Sequence, residues 1–170
     1  MAVIDVFLLP GQHFVGDARH RIRTLLGSCV SITLWHPLAR VGAMSHFLLT
    51  MGDKDAKNVG QLNGRYCEGA LELMLADLEQ AGINPAECQA KVFGGGMMFP
   101  GIERGDSMGI GRRNGETAER LLEQHKIPVV SESLFGVGHR HIIFNVRTGD
   151  VWVRQGPPGT PGVKSLKERL

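Results

Sequence analysis

Two apolar runs of strand length stand close together near the N-terminus. Val30 to Trp35 alternates Val-Ser-Ile-Thr-Leu-Trp, a period-two pattern rich in strand formers. Val41 to Leu49 is the second run. Between them lies His36-Pro37-Leu38-Ala39, where the fixed φ of Pro37 suits position i+1 of a type I turn. A four-residue loop of this kind predicts a hairpin. With 36–39 as the loop, Leu34 faces Val41, Ile32 faces Ala43 and Val30 faces Ser45 on an apolar face that belongs to the core. The other face pairs Thr33 with Gly42, Ser31 with Met44 and Cys29 with His46. Directly opposed side chains have Cβ atoms about 4.5–5.5 Å apart, and a one-residue slip would part them.

Elsewhere the pattern predicts two helices and several more strands. Residues 2–9 alternate loosely, as a strand would, and the charged segment from Gly11 to Arg21 reads as a solvated loop or edge. Residues 22–26 lead into Cys29 as a strand or tight turn. Thr50 to Asn63 is polar and glycine-bearing, a long loop bordering the site or an insertion. From Asn63 to Gly82, apolar residues recur every three or four positions (Tyr66, Cys67, Ala70, Leu71, Met74, Leu75, Leu78, Ala81), which predicts an amphipathic helix capped by Asn63 and stopped by Gly82. Cys67 lies on its apolar stripe and belongs to the core; Cys88, in a polar segment, is expected to be partly exposed. Ala90 to Phe93 is a short strand, and Gly94-Gly95-Gly96 after it demands an unusual backbone beside the site. It lacks the Lys-Ser/Thr and following helix of a phosphate-binding loop. A second helix is expected from Asn114, as its cap, to His125, followed by strands at 128–135, 140–147 and 151–153.

Composition narrows the class. At 170 residues and 42% hydrophobic, one domain with a real core is expected over 1–154, with a flexible, Pro/Gly-rich basic tail over 155–170. A net charge of +2 offers no electrostatic case for nucleic acid. The absence of an apolar run near 18 residues argues against a spanning helix, and the start lacks the basic region of a secretory leader. Three cysteines without framework spacing fit a reducing cytoplasm. His139 and His141 share a strand face, but a zinc site needs a third protein ligand, so they read as structural. No cofactor or metal is expected.

The chemistry lies in the predicted hairpin. A free thiol has a pKa of about 8.5, and the thiolate is the nucleophile. An imidazole beside it takes the proton and returns it to a leaving group. Cys29 and His46 supply the two. Gly27 removes a side chain beside the thiol, and the N–H groups of Ser28 and Cys29 are placed for a developing oxyanion. Thr24, just upstream, offers a hydroxyl to orient the imidazole. The bland alternative is a buried apolar cysteine and a structural histidine.

Leu26-Gly27-Ser28-Cys29-Val30, Gly42-Ala43-Met44-Ser45-His46, Phe93-Gly94-Gly95-Gly96 and Ile110-Gly111-Arg112-Arg113-Asn114 occur in the order found in the CheD family of chemoreceptor glutamine deamidases. The chain resembles that family over roughly residues 15–153; Gly136-Val137-Gly138-His139-Arg140 matches its Gly-Gly-x-x-Gly-Arg pattern loosely. The resemblance implies a cysteine, histidine and threonine site, which by position is Cys29, His46 and Thr24. It implies an α+β fold, a mixed β-sandwich flanked by helices with a distant likeness to other thiol hydrolases. It further implies deamidation of glutamines on the cytoplasmic domain of methyl-accepting chemoreceptors in bacterial chemotaxis. Related proteins also act on receptor methyl esters, and some bind a CheC-type phosphatase. A different cysteine hydrolase and a non-enzymatic chemotaxis binding module are the alternatives.

Overall fold

The computed structural model describes residues 2–51, 63–100, 109–158 and 167–170. Its elements are β1 (Ile4–Phe7), β2 (His13–Gly16), β3 (His20–Leu26), β4 (Val30–His36), β5 (Val41–Ser45), α1 (Cys67–Gln80), β6 (Gln89–Gly94), α2 (Ile110–Gln124), β7 (Val129–Leu134), β8 (His139–Asn145), β9 (Val151–Gly156) and β10 (Lys167–Arg169). The described strands form two five-stranded sheets, ordered β1-β3-β8-β9-β10 and β2-β5-β4-β6-β7. Each is mixed: β1–β3 and β6–β7 pair in parallel, the remaining neighbours antiparallel. This is the expected α+β class. Among the described residues no helix is long and apolar enough to cross a membrane.

The layers follow from where apolar side chains point. One face of the β4 sheet carries Val30, Ile32, Leu34 and Ala43 against the buried stripe of α1 (Cys67, Ala70, Leu71, Met74, Leu78) and Ala118 and Leu122 of α2. Its other face sets Met44 and Phe93 against Ile22, Leu26, Ile142, Phe144, Val151 and Val153 of the β3 sheet. The Trp35 indole N–H crosses the gap to the Val146 carbonyl at 2.8 Å. The alternation in β4 therefore does not divide inside from outside. Ser31 and Thr33, its polar positions, are as buried as their apolar neighbours, because sheet packs on one side and helix on the other.

The hairpin register differs from the expected one. His36 pairs with Val41, Leu34 with Ala43 and Thr33 with Met44, and the Val30–Phe47 bridge continues the same register. The loop is 37–40, and Ser31 rather than Cys29 falls opposite His46. The turn explains the shift. The His36 imidazole accepts the Ala39 N–H at 3.0 Å, and Arg40, at φ 51°, turns its N–H onto the His36 carbonyl at 2.9 Å. A left-handed arginine leaves no signature in sequence. The shift moves the pairing by two residues, so each side chain keeps its face.

Other boundaries move for local reasons. α1 begins at Cys67 rather than Asn63, because the Asn63 side chain accepts the Arg65 N–H at 2.9 Å in a tight turn of its own. Gly82, at φ 79°, stops the helix as expected. Cys88, expected to be partly exposed, is buried beside the helical turn Pro85–Glu87. α2 starts at Ile110, four residues before its expected cap. The segment read as a solvated loop or edge contains β2, an edge strand whose His13 pairs with Asp77 of α1 at 2.7 Å. Within the expected tail, β9 runs to Gly156 and Lys167–Arg169 pair antiparallel with β9. The loop expected at 50–63 lies mostly outside the described residues, as do 159–166.

Helix-to-sheet packing should dominate stability. Leu71→Ala, in the α1 stripe, is expected to lower unfolding free energy by about 2–5 kcal/mol, and Leu38→Ser, at the exposed hairpin tip, by less than about 0.5 kcal/mol. Urea unfolding of the two variants checks the contrast.

Candidate active site

Thr24 points inward from β3 between Ile22 and Leu26 and is fully buried. Its Oγ1 lies 2.8 Å from the Leu8 carbonyl and 2.7 Å from His46 Nδ1. A carbonyl only accepts, so the single hydroxyl proton goes to Leu8. The hydroxyl must then accept from His46 Nδ1–H. That settles the neutral tautomer: the proton is on Nδ1 and the lone pair on Nε2. Among the described residues His46 Nε2 is buried without a hydrogen-bond partner. That lone pair can accept a proton or a hydrogen bond.

His46 comes from just beyond β5, in the other sheet, so the site bridges the two. The strand ladder opens to admit it. At Ile32 the Ser45 hydroxyl, not the backbone carbonyl, accepts the N–H, at 3.2 Å. The main chain of His46 turns instead to the segment before β2, with His46 N–H to Gln12 O at 3.0 Å and Gly11 N–H to His46 O at 2.8 Å. Regular pairing resumes at Phe47, which exchanges both bonds with Val30 at 3.0 and 3.1 Å.

Cys29 ends the turn between β3 and β4, half-buried, immediately before Val30. It therefore flanks one side of the Val30–Phe47 pair, as His46 flanks the other. All three carbonyls of the turn are taken. Gly27 O accepts from Gly96 N–H at 2.9 Å, Ser28 O from Asn114 Nδ2 at 3.1 Å, and Cys29 O from Gly95 N–H at 2.9 Å. The approach is so close that a Cβ on Gly94, at φ 111°, would stand 2.2 Å from the Cys29 carbonyl oxygen. Only glycine fits there, which is the tight backbone path expected of the triple glycine. A Cβ on Gly27 would stand 3.1 Å from the Met98 side chain, so a larger residue there would crowd this neighbour. A cavity of about 220 Å³ opens beside Ser28, lined by Gly95, Gly96, Met98, Phe99, Arg112 and Phe135 among others.

Burial sets the resting charge state. It pushes the Cys29 thiol up, an effect opposed by the residue's own amide, and pushes His46 down to about 4. At neutral pH the free site thus holds a thiol and a neutral imidazole, not an ion pair.

Two site residues escaped the sequence. Asn114, taken for a helix cap, lies one turn inside α2, is 1% exposed and donates through Nδ2 to both Ser28 O and, at 2.8 Å, Leu48 O. A polar residue on the apolar face of an amphipathic pattern was the available signal. Arg140, buried in β8, reaches across to Gly94 O, Phe135 O and the Ser133 hydroxyl. Its place after Gly136-Val137-Gly138 is thereby structural support for the glycine turn. His139, the neighbour, packs its ring against Gly156.

Comparison with known proteins places the chain among relatives. A family described as CheD chemotactic sensory transduction matches residues 48–155, a stretch that begins just after His46. Over longer spans, the chain is 58% identical to the probable chemoreceptor glutamine deamidase CheD 2 of Albidiferax ferrireducens, covering 91% of this chain and 89% of the relative. It is 44% identical to the probable chemoreceptor glutamine deamidase CheD 3 of Dechloromonas aromatica, over 88% and 86% of the two chains. With the probable deamidase CheD of Pseudomonas savastanoi it shares 39%, over 92% and 88%.

The buried neutral imidazole carries a stability signature. Between pH 6.5 and about 4 the unfolded chain binds a proton that folded His46 refuses, so stability falls as pH falls through that window. Wild type is expected to lose roughly 3 kcal/mol more than His46→Gln across it, at 1.36 kcal/mol per pH unit. Urea midpoints of both proteins from pH 7 to 4 test this.

Proposed function

Because the chain belongs to the CheD family, we propose that it is a chemoreceptor glutamine deamidase with Cys29 as nucleophile, His46 as general base and acid, and Thr24 as the residue that orients His46. The observation that carries this reading is the Leu8–Thr24–His46 chain, which leaves an unpartnered Nε2 lone pair between the two sheets. A structural histidine would be expected to spend both ring nitrogens on hydrogen bonds.

The reaction follows from these groups. Cys29 Sγ attacks the carboxamide carbon of a glutamine side chain as its proton passes to His46 Nε2. The carbonyl oxygen becomes an oxyanion near the amides of Ser28 and Cys29. The imidazolium then gives its proton to the nitrogen, the C–N bond breaks and ammonia leaves, with a thioester on Cys29. Water, deprotonated by the same Nε2, adds to the thioester; the S–C bond breaks, the proton returns to sulfur, and glutamate is released. The low basicity of His46 suits the second step. An imidazolium whose pKa is pushed down to about 4 is a strong acid toward a poor leaving group. The first step starts from a protonated thiol, so substrate binding, which excludes water, has to accompany the proton transfer.

The product places a negative charge where a neutral amide stood on a receptor helix, a change able to bias a two-state signalling protein. The cytoplasmic domain of a methyl-accepting chemoreceptor is the proposed partner, in the bacterial cytoplasm, with a CheC-type phosphatase as a further one. Slow alkylation of Cys29 at neutral pH would not separate this reading from a binding module, because burial keeps the thiol protonated in either.

Intact mass of a receptor cytoplasmic fragment separates them. Wild type is expected to add about 1 Da per deamidated glutamine, Cys29→Ala to add none, and His46→Ala to act about 10²–10⁴-fold more slowly. Thr24→Val, which strands Nδ1, should cost about 10–100-fold, with Thr24→Ser restoring most of the rate. No mass gain with wild type on any receptor from the same cell would overturn the proposal.

A further inference from the structure

Among the described residues the peptide plane between Ser28 and Cys29 has one external restraint on its carbonyl, and that restraint is a side chain. The Gly27 and Cys29 carbonyls are held by backbone amides of the glycine turn, which no point substitution removes. The Ser28 carbonyl is held by Asn114 Nδ2 alone among the described residues. A trans peptide is planar, with its C=O and N–H antiparallel. Aiming the Ser28 carbonyl at α2 therefore aims the Cys29 N–H the opposite way. That amide belongs to the residue that carries the reacting sulfur, one side chain away from it. Among the described residues no backbone carbonyl takes this N–H. The second Nδ2 proton goes to Leu48 O, two residues beyond His46. Each of the two loops that carry the reacting groups is thus tied to the same nitrogen. The amide orientation is unambiguous, because a flipped side chain would set Oδ1 against two carbonyls.

We propose that Asn114 is a positioning residue that aims the Cys29 amide as the oxyanion donor. The inference rests on Cys29 as the nucleophile of the proposed reaction. Without Asn114 the Ser28–Cys29 peptide is free to rotate between its neighbours, and the donor loses its aim while the thiol stays in place. A role confined to satisfying two buried carbonyls would affect folding and leave the chemistry of folded molecules alone.

Two electrophiles on the same sulfur separate these cases. Iodoacetamide alkylates by displacement at a saturated carbon and builds no charge on oxygen. 4-Nitrophenyl acetate acylates by addition to a carbonyl: the S–C bond forms, the C–O bond to nitrophenolate breaks, and an oxyanion forms between the two events. Wild type, Asn114→Leu and Asn114→Ala would be compared for the rate of each modification at Cys29, located by mass, and for deamidation of a receptor cytoplasmic fragment, with thermal unfolding alongside. Both variants are expected to lose about 10²-fold in acylation and in deamidation kcat, the scale of one oxyanion donor, with KM little changed. Alkylation should stay within about threefold, because the thiol keeps its surroundings. Acylation and alkylation that fall together, or an unchanged acylation rate in either folded variant, would overturn the proposal. A selective acylation loss in a protein whose wild type deamidates nothing would support Asn114 and reject the deamidase reading instead.

Discussion

The turn Gly27–Cys29 has no freedom left in its carbonyls, and the candidate site depends on that. Three donors from two distant segments, Gly95, Gly96 and Asn114, hold three successive oxygens. Such contacts need backbone against backbone, which is why Gly94 carries a positive φ and no side chain. Behind it stands Arg140, a buried guanidinium that meets carbonyl and hydroxyl oxygens rather than a carboxylate. Desolvation pulls its pKa below the usual arginine value, yet five N–H donors in a rigid fork make it well suited to tie the glycine turn to β8.

Sandwiching the β4 sheet between helices and a second sheet gives this constraint its force. Both faces of β4 are dry, so its ends emerge at fixed positions, and the groups at those ends meet partners from both sheets. Thr24 arrives from β3, His46 from beyond β5 and Cys29 from the turn that joins the two sheets. The ladder opens at Ser45, where the imidazole enters. Local disruption of a ladder is a common means of re-aiming a side chain at a functional site.

Electrostatics and geometry then act in the same direction. Water is excluded from His46, which lowers its basicity, and the Thr24 hydroxyl selects the tautomer that leaves Nε2 free. Neither effect is a property of the residues alone. An exposed Thr-His pair would exchange partners with solvent and titrate near the ordinary value.

The residues of the candidate site were legible from the sequence because their signals are local. A Gly-Ser-Cys turn before an alternating strand and a histidine in the next apolar run put Cys29 and His46 on matching faces, and the two-residue register shift preserved that parity. Periodicity also located α1 and the last strands. What the sequence could not determine were contacts between segments far apart in the chain. Arg40 moved the hairpin loop through a left-handed conformation that has no residue signature. Cys88 was buried by a neighbouring turn despite polar flanks. Asn114 read as a helix cap because its role lies in carbonyls 66 and 86 residues away. Sequence pattern reports which side of an element is apolar; only packing decides which buried polar atoms meet, because each such bond requires two chains of local choices to coincide in space.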